Sequence, residues 1–137
     1  MPIATLTLAL LLAACASAPA ARTQEPAPAE GTVVLAIGAP KRAAGTDLTV
    51  TFEAVVEDSR CPTGVQCIWA GDAAVRIRLA APDLAPATAT LHTNLDTAKE
   101  TTYGAWKISI QAVTPAPTAT GGVRTEDYRL TLLIARK

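Results

Sequence analysis

The chain is poor in the side chains that do most enzyme chemistry. It has a single histidine, His92, and only two tryptophans, two tyrosines and one phenylalanine in 137 residues. One histidine gives a serine or cysteine hydrolase a single candidate base. His92 lies among Thr88, Thr90 and Thr93, a pattern that reads as the polar face of a strand. So few aromatics leave the core to aliphatic side chains, with Phe52 and Trp106 carrying a disproportionate share of the packing. Charge of one sign is also lacking: twelve basic and twelve acidic side chains cancel. Without a dense basic cluster, nucleic acid and polyanionic partners have no electrostatic footprint to occupy. Long apolar runs are missing too. The longest uncharged one, residues 3–14, is too short to span a bilayer as a helix.

That run has the form of a signal-peptide core. It closes on Leu12, Ala13, Ala14 and Cys15, which resembles the bacterial lipobox, although no Lys or Arg precedes it. The resemblance implies removal of residues 1–14 and acylation of Cys15, with diacylglycerol and palmitate as the membrane anchor. The alternative is cleavage at the small-x-small site Ala16, Ser17, Ala18, which releases a soluble periplasmic or secreted protein. Ala16 in place of aspartate implies, by analogy with Gram-negative lipoproteins, the outer membrane facing the periplasm. Residues 15–31 are rich in Pro, Ala and Glu, with prolines at 19, 26 and 28. They read as a semi-extended tether, and residues 32–137 as one domain.

Three cysteines suit an oxidising compartment only if one has another use. With Cys15 assigned to lipid, Cys61 and Cys67 form a pair. Pro62 and Gly64 between them turn the chain tightly enough for a disulfide. The five intervening residues match neither a two-residue redox pair nor closely paired zinc ligands.

Beyond residue 31, apolar residues recur with a period of two. One set is Leu48, Val50, Phe52, Ala54 and Val56 against Thr49, Thr51, Glu53 and Glu57, with Val55 alone out of phase. Further sets are Ala73, Val75, Ile77 and Leu79; Trp106, Ile108, Ile110 and Ala112; and Tyr128, Leu130, Leu132 and Ile134. Shorter ones are Val33, Leu35 and Ile37, and Ala89 with Leu91. No interior segment has a long period of 3.6, and Pro82 and Pro86 interrupt the alanines between 80 and 87. Six or seven one-sided strands predict a small antiparallel β-sandwich, with a small closed β-barrel as the alternative.

The segment Ser59-Arg60-Cys61-Pro62, followed by Cys67-Ile68-Trp69-Ala70-Gly71, resembles a signature of small bacterial secreted proteins and lipoproteins. Val113-Thr114-Pro115 and Asp127-Tyr128 extend the likeness over roughly residues 46–136. It brings no established activity. It implies an immunoglobulin-like sandwich in the envelope with a local Cys61–Cys67 bridge, unlike immunoglobulin domains, whose cysteines join facing strands.

The candidate binding loop is therefore 58–72, with Arg60 and Trp69 as its anchor-type residues. The alternative is structural, since Trp69 shares the phase of Ala73, Val75 and Ile77 and so packs over the core edge. Asp58, Asp72, Glu126 and Asp127 could meet at one end of a sandwich, but they lack a spaced calcium-loop motif and read as turn and cap residues. Gly121-Gly122 lacks the strand-to-helix setting of a phosphate loop. No cofactor or metal site is expected. The function expected is a non-enzymatic envelope lipoprotein whose sandwich binds an envelope protein or small ligand. The alternative is an inhibitor or protective factor acting on an envelope or host enzyme.

Overall fold

The computed structural model describes residues 31–94 and 98–137. The signal segment 1–14, Cys15 and the spacer to residue 30 lie outside the described residues. Among those described, eight strands run β1 (Gly31–Ala36), β2 (Pro40–Arg42), β3 (Thr49–Asp58), β4 (Ala73–Ala81), β5 (Leu84–His92), β6 (Glu100–Tyr103), β7 (Trp106–Thr114) and β8 (Arg129–Arg136). They form two antiparallel four-stranded sheets, ordered β1-β8-β7-β6 and β2-β3-β4-β5. This is the expected sandwich. Strands that are apolar on one face must cover that face, and the second sheet does so. Phe52, Leu48, Val50, Val75, Ile77, Leu79 and Leu91 of one sheet meet Leu35, Ile108, Leu130, Leu132 and Ile134 of the other, all at 0–1% exposure.

The likeness to immunoglobulin domains stops at the two layers. Strands β2 to β5 pair in succession in one sheet and β6 to β8 in the other, where β1 closes onto β8, so the order is a meander and not a Greek key. The same cyclic order would suit a barrel, but the ladder breaks at two seams, β1/β2 and β5/β6. Isolated contacts bridge them. At the first, Gly38 N donates to Phe52 O at 2.8 Å and Lys41 Nζ to Val34 O at 3.3 Å. At the second, the Tyr103 hydroxyl donates to Ala85 O at 3.0 Å.

The strand count exceeds the six or seven expected. β2 and β6, with three and four residues, are too short to show a period. The front of β5 contains Pro86, which is admissible because β5 is an edge strand with one unpaired side. Phase also differs from the expectation in two places. Register shifts at Phe52/Ala54 and Val55/Glu57 turn Val55 toward the core and leave Val56 at 54% exposure. A shift at Ile110/Ala112 buries Val113 where Ala112 was expected. A bulge adds one residue to a strand and so reverses which alternate side chains face in.

Candidate functional site

The ends of β3, β5 and β7 and the beginnings of β4 and β8 gather at one end of the sandwich. Since β3 and β4 pair along their length, residues 59–72 form the connection between neighbours at that end. Its stem continues the ladder: Ser59 N donates to Asp72 O at 2.7 Å and Cys61 N to Ala70 O at 3.1 Å. Gly71 makes this closeness possible. Its φ is +69°, and a Cβ there would lie 1.9 Å from Ser59 O.

Above the stem, Cys61 and Cys67 are joined by a disulfide with Cα atoms 5.9 Å apart. Inside the ring, Val65 N donates to Pro62 O at 3.1 Å, and Gly64, at φ +83°, supplies the left-handed residue of that turn. Thr63 N donates to Pro117 O at 2.8 Å, seating the ring on the β7–β8 connection.

Two carboxylates anchor the stem. Asp58, closing β3, takes Arg60 Nε at 2.8 Å and Arg60 Nη2 at 2.7 Å, and also the Tyr128 hydroxyl at 2.8 Å. The same guanidinium donates to Val113 O and, at 2.9 Å, to Pro115 O. Asp58 and Arg60 belong to one sheet and its loop, whereas Val113 and Tyr128 belong to the other, so this cluster ties the layers together. Burial works to raise the Asp58 carboxyl, but hydrogen bonds from Arg60 and Tyr128, with the arginine charge, outweigh it and hold the group below the usual carboxylate range. Burial, then the bond to Asp58, raises the Tyr128 hydroxyl above its ordinary value.

Asp72, just before β4, accepts from His92 Nδ1 at 2.6 Å, Thr93 Oγ1 at 3.1 Å and Asn94 N at 2.8 Å. Thr93 Oγ1 in turn accepts from Ala73 N at 2.8 Å. Burial opposes ionisation here too, yet the His92, Asn94 and Thr93 bonds bring the carboxyl below its ordinary value. His92 is thus half-buried and paired, not the exposed strand residue that the threonine pattern suggested.

The structure separates the two anchor residues. Arg60, a residue type suited to a partner contact, has its side chain only 15% exposed and bonded on every side described above. Trp69, with packing over the core edge as its alternative, is 80% exposed, and Ile68 beside it 92%. Trp69 also forms one wall of a concavity of about 760 Å³ that includes Thr93, Asn94, Lys99 and Ala116. Asn94 and Lys99 were not singled out from sequence, since nothing local marks residues that the β5–β6 connection brings across.

The four carboxylates considered for calcium do not converge. Asp58 and Asp72 hold opposite sides of the stem, while Glu126 and Asp127 pair with Arg124 at 3.3 and 3.0 Å. Among the described residues no group of three or more His, Cys, Asp or Glu side chains is placed to hold a metal. None of the described helices is long and apolar enough to cross a membrane. Comparison with protein-family models, curated proteins and solved structures gave no match.

Proposed function

We propose that this chain is a non-enzymatic binding module of the bacterial envelope, held by a lipid on Cys15, that engages its partner through the loop 58–72. The observation that carries this reading is Trp69. A tryptophan left 80% exposed beside an isoleucine left 92% exposed is costly in water unless something covers them. They sit on a loop that is not slack, being closed by the disulfide and pinned by Arg60 and Asp72. A rigid loop loses little entropy on binding. In this reading Trp69 is the contact residue and Arg60 its positioning residue.

The test has two parts. Cys15→Ser is expected to release the protein from the membrane fraction; unchanged membrane retention sinks the anchor. Trp69→Ala is expected to abolish capture of a partner from envelope extract without lowering the melting temperature. If capture survives, the loop is not the site. The inhibitor reading uses the same loop and is checked by assaying proteases and cell-wall hydrolases with the protein and with Trp69→Ala. The bend at Ile68 and Trp69 and the turn inside the ring are unlike an extended substrate strand, so we place it second.

A further inference from the structure

The concavity behind Trp69 deepens that reading, and the inference rests on it. The geometry points to a short saccharide carrying one carboxylate as the ligand, with a pyranose ring stacked on Trp69 and the carboxylate on Lys99.

Two features select this class, and a third leaves the site open to it. The first is the mixture of surfaces. Trp69, Cys61, Ala70 and Ala116 bring apolar surface to the lining, which also includes the polar residues Thr93, Asn94 and Lys99. A pyranose has that same mixture, C–H bonds on its face and hydroxyls around its rim, and a broad indole is the side chain that meets such a face. About 760 Å³ accommodates a disaccharide and would be loosely filled by one apolar side chain from a protein.

The second is charge. Asp58 is occupied by Arg60, and Asp72 by His92, Thr93 and Asn94. Arg60 is itself neutralised by Asp58. Glu100, next to Lys99 in sequence, pairs with Lys107 at 2.8 Å. Lys99, which lines the concavity, enters no ion pair among the described residues. A single ammonium recognises one carboxylate. It does not hold a polyanion, which agrees with the chain's balanced charge.

The third is direction. β1 enters the domain with Gly31 opposite Ile134, near the far end of β8, whereas Arg129 at the near end faces Thr114 beside the loop. The segment preceding β1 therefore joins the sandwich at the end opposite Trp69. A β-strand of eight residues spans about 26 Å. An anchor on that segment would attach at the end away from the loop, which leaves Trp69 open to ligands other than the lipid carrying the protein.

The test uses the full-length chain in mild detergent, titrated with cellobiouronic acid and with cellobiose, its neutral isostere. The readout is indole emission. Trp69 is 80% exposed and Trp106 only 8%, so a blue shift with loss of iodide quenching reports Trp69. The expected result is saturable binding of the acid, tighter than that of the neutral sugar and weakened by salt. Trp69→Ala, which removes the reporting indole and is therefore followed by titration calorimetry, should weaken both at least about tenfold. Lys99→Met should lower affinity for the acid about fivefold and leave cellobiose unchanged. Unshifted Trp106 emission in each variant shows that it is folded. Equal affinity for the two sugars overturns the assignment of Lys99 and the acidic class. No saturable binding of either up to about 10 mM overturns the saccharide altogether. In that case Trp69-dependent capture of an envelope protein, or of phosphatidylglycerol vesicles, leaves the loop as a binding site with another ligand. Trp69-independent capture removes both readings.

Discussion

Gly71 is the residue on which the loop stem most plainly depends. Any side chain there meets the Ser59 carbonyl while the backbone is held in a left-handed conformation. Gly71→Ala is expected to cost about 3 kcal/mol or more, because strain and clash add. The melting temperature should drop by roughly 10 °C or more in thermal unfolding. Gly31, with open space where its Cβ would go, serves as the control.

At the same scale, the Asp58, Arg60 and Tyr128 cluster makes stability depend on pH at both extremes. Asp58 and Asp72 are held below the ordinary aspartate value of 3.8, so their contribution is complete above that value and is lost as pH falls below it. Tyr128 is raised above 10.0, so its contribution is complete below pH 10 and is lost as pH rises past it. Asp58→Asn should flatten the acid limb of a stability profile, and Tyr128→Phe the alkaline limb. Arg60→Ala strands a carboxylate that is only 9% exposed and should cost about 3 kcal/mol, far more than an exposed ion pair would. A profile unchanged by Asp58→Asn would show that the acid limb arises elsewhere. The pairing of Asp58 with Arg60 was open to inspection in sequence, two residues apart. Tyr128, seventy positions away, was not, since only the folded meander brings β8 beside the end of β3.

Among the elements, β3 shows how far an alternating pattern can be read and where it stops. Leu48, Val50 and Phe52 are inward as the period of two requires. After Phe52 the register shifts, and Val55, the one residue that broke the pattern, turns out to be the inward one. The sequence contained the irregularity but not its interpretation, because a bulge is set by the partner strand as much as by its own. Val55→Asp should therefore destabilise the domain by more than about 2 kcal/mol, and Val56→Asp by under about 0.5 kcal/mol. Strict alternation would give the opposite ranking, and chemical denaturation of the two variants decides between them.

The disulfide belongs to the same scale. A link between residues six apart restricts the unfolded chain by about 2.4 kcal/mol. The stem bonds of Ser59 and the contacts of Arg60 lie outside the ring. Reducing it should cost no more than that amount and leave β3 and β4 protected in hydrogen exchange, while the amides of Thr63 and Val65 become exchangeable. Loss of protection in β3 would show that the ring carries the fold.

For the whole molecule, fold class was legible because one-sided strands with tight turns leave few ways to bury their faces, and two layers is the simplest. Connectivity was less legible. Choosing sandwich over barrel depended on whether β1/β2 and β5/β6 continue the ladder, and the residues at those seams, Gly38, Lys41 and Tyr103, carry no periodic signal. Tyr103→Phe removes the hydroxyl that bridges the second seam and should cost about 1 kcal/mol in denaturant unfolding. The anchor residues were legible as types but not as roles: exposure separated Trp69 from Arg60, and exposure depends on which neighbours the fold supplies.

The pairing of β1 with β8 has one more consequence. Gly31 stands opposite Ile134, so the first and last described strands finish side by side, and within each sheet the successive strands pair. Such a circuit has no privileged starting point. A circular permutant that joins the two by a short glycine-serine bridge and opens at Pro82-Asp83, the turn between paired Ala81 and Leu84, keeps every ladder intact. It should fold to the same two sheets, with the loop at 58–72 still presented by β3 and β4. In a permuted chain the new ends lie at the β4–β5 turn, so the order of segments along the gene becomes a free variable in how this loop is displayed.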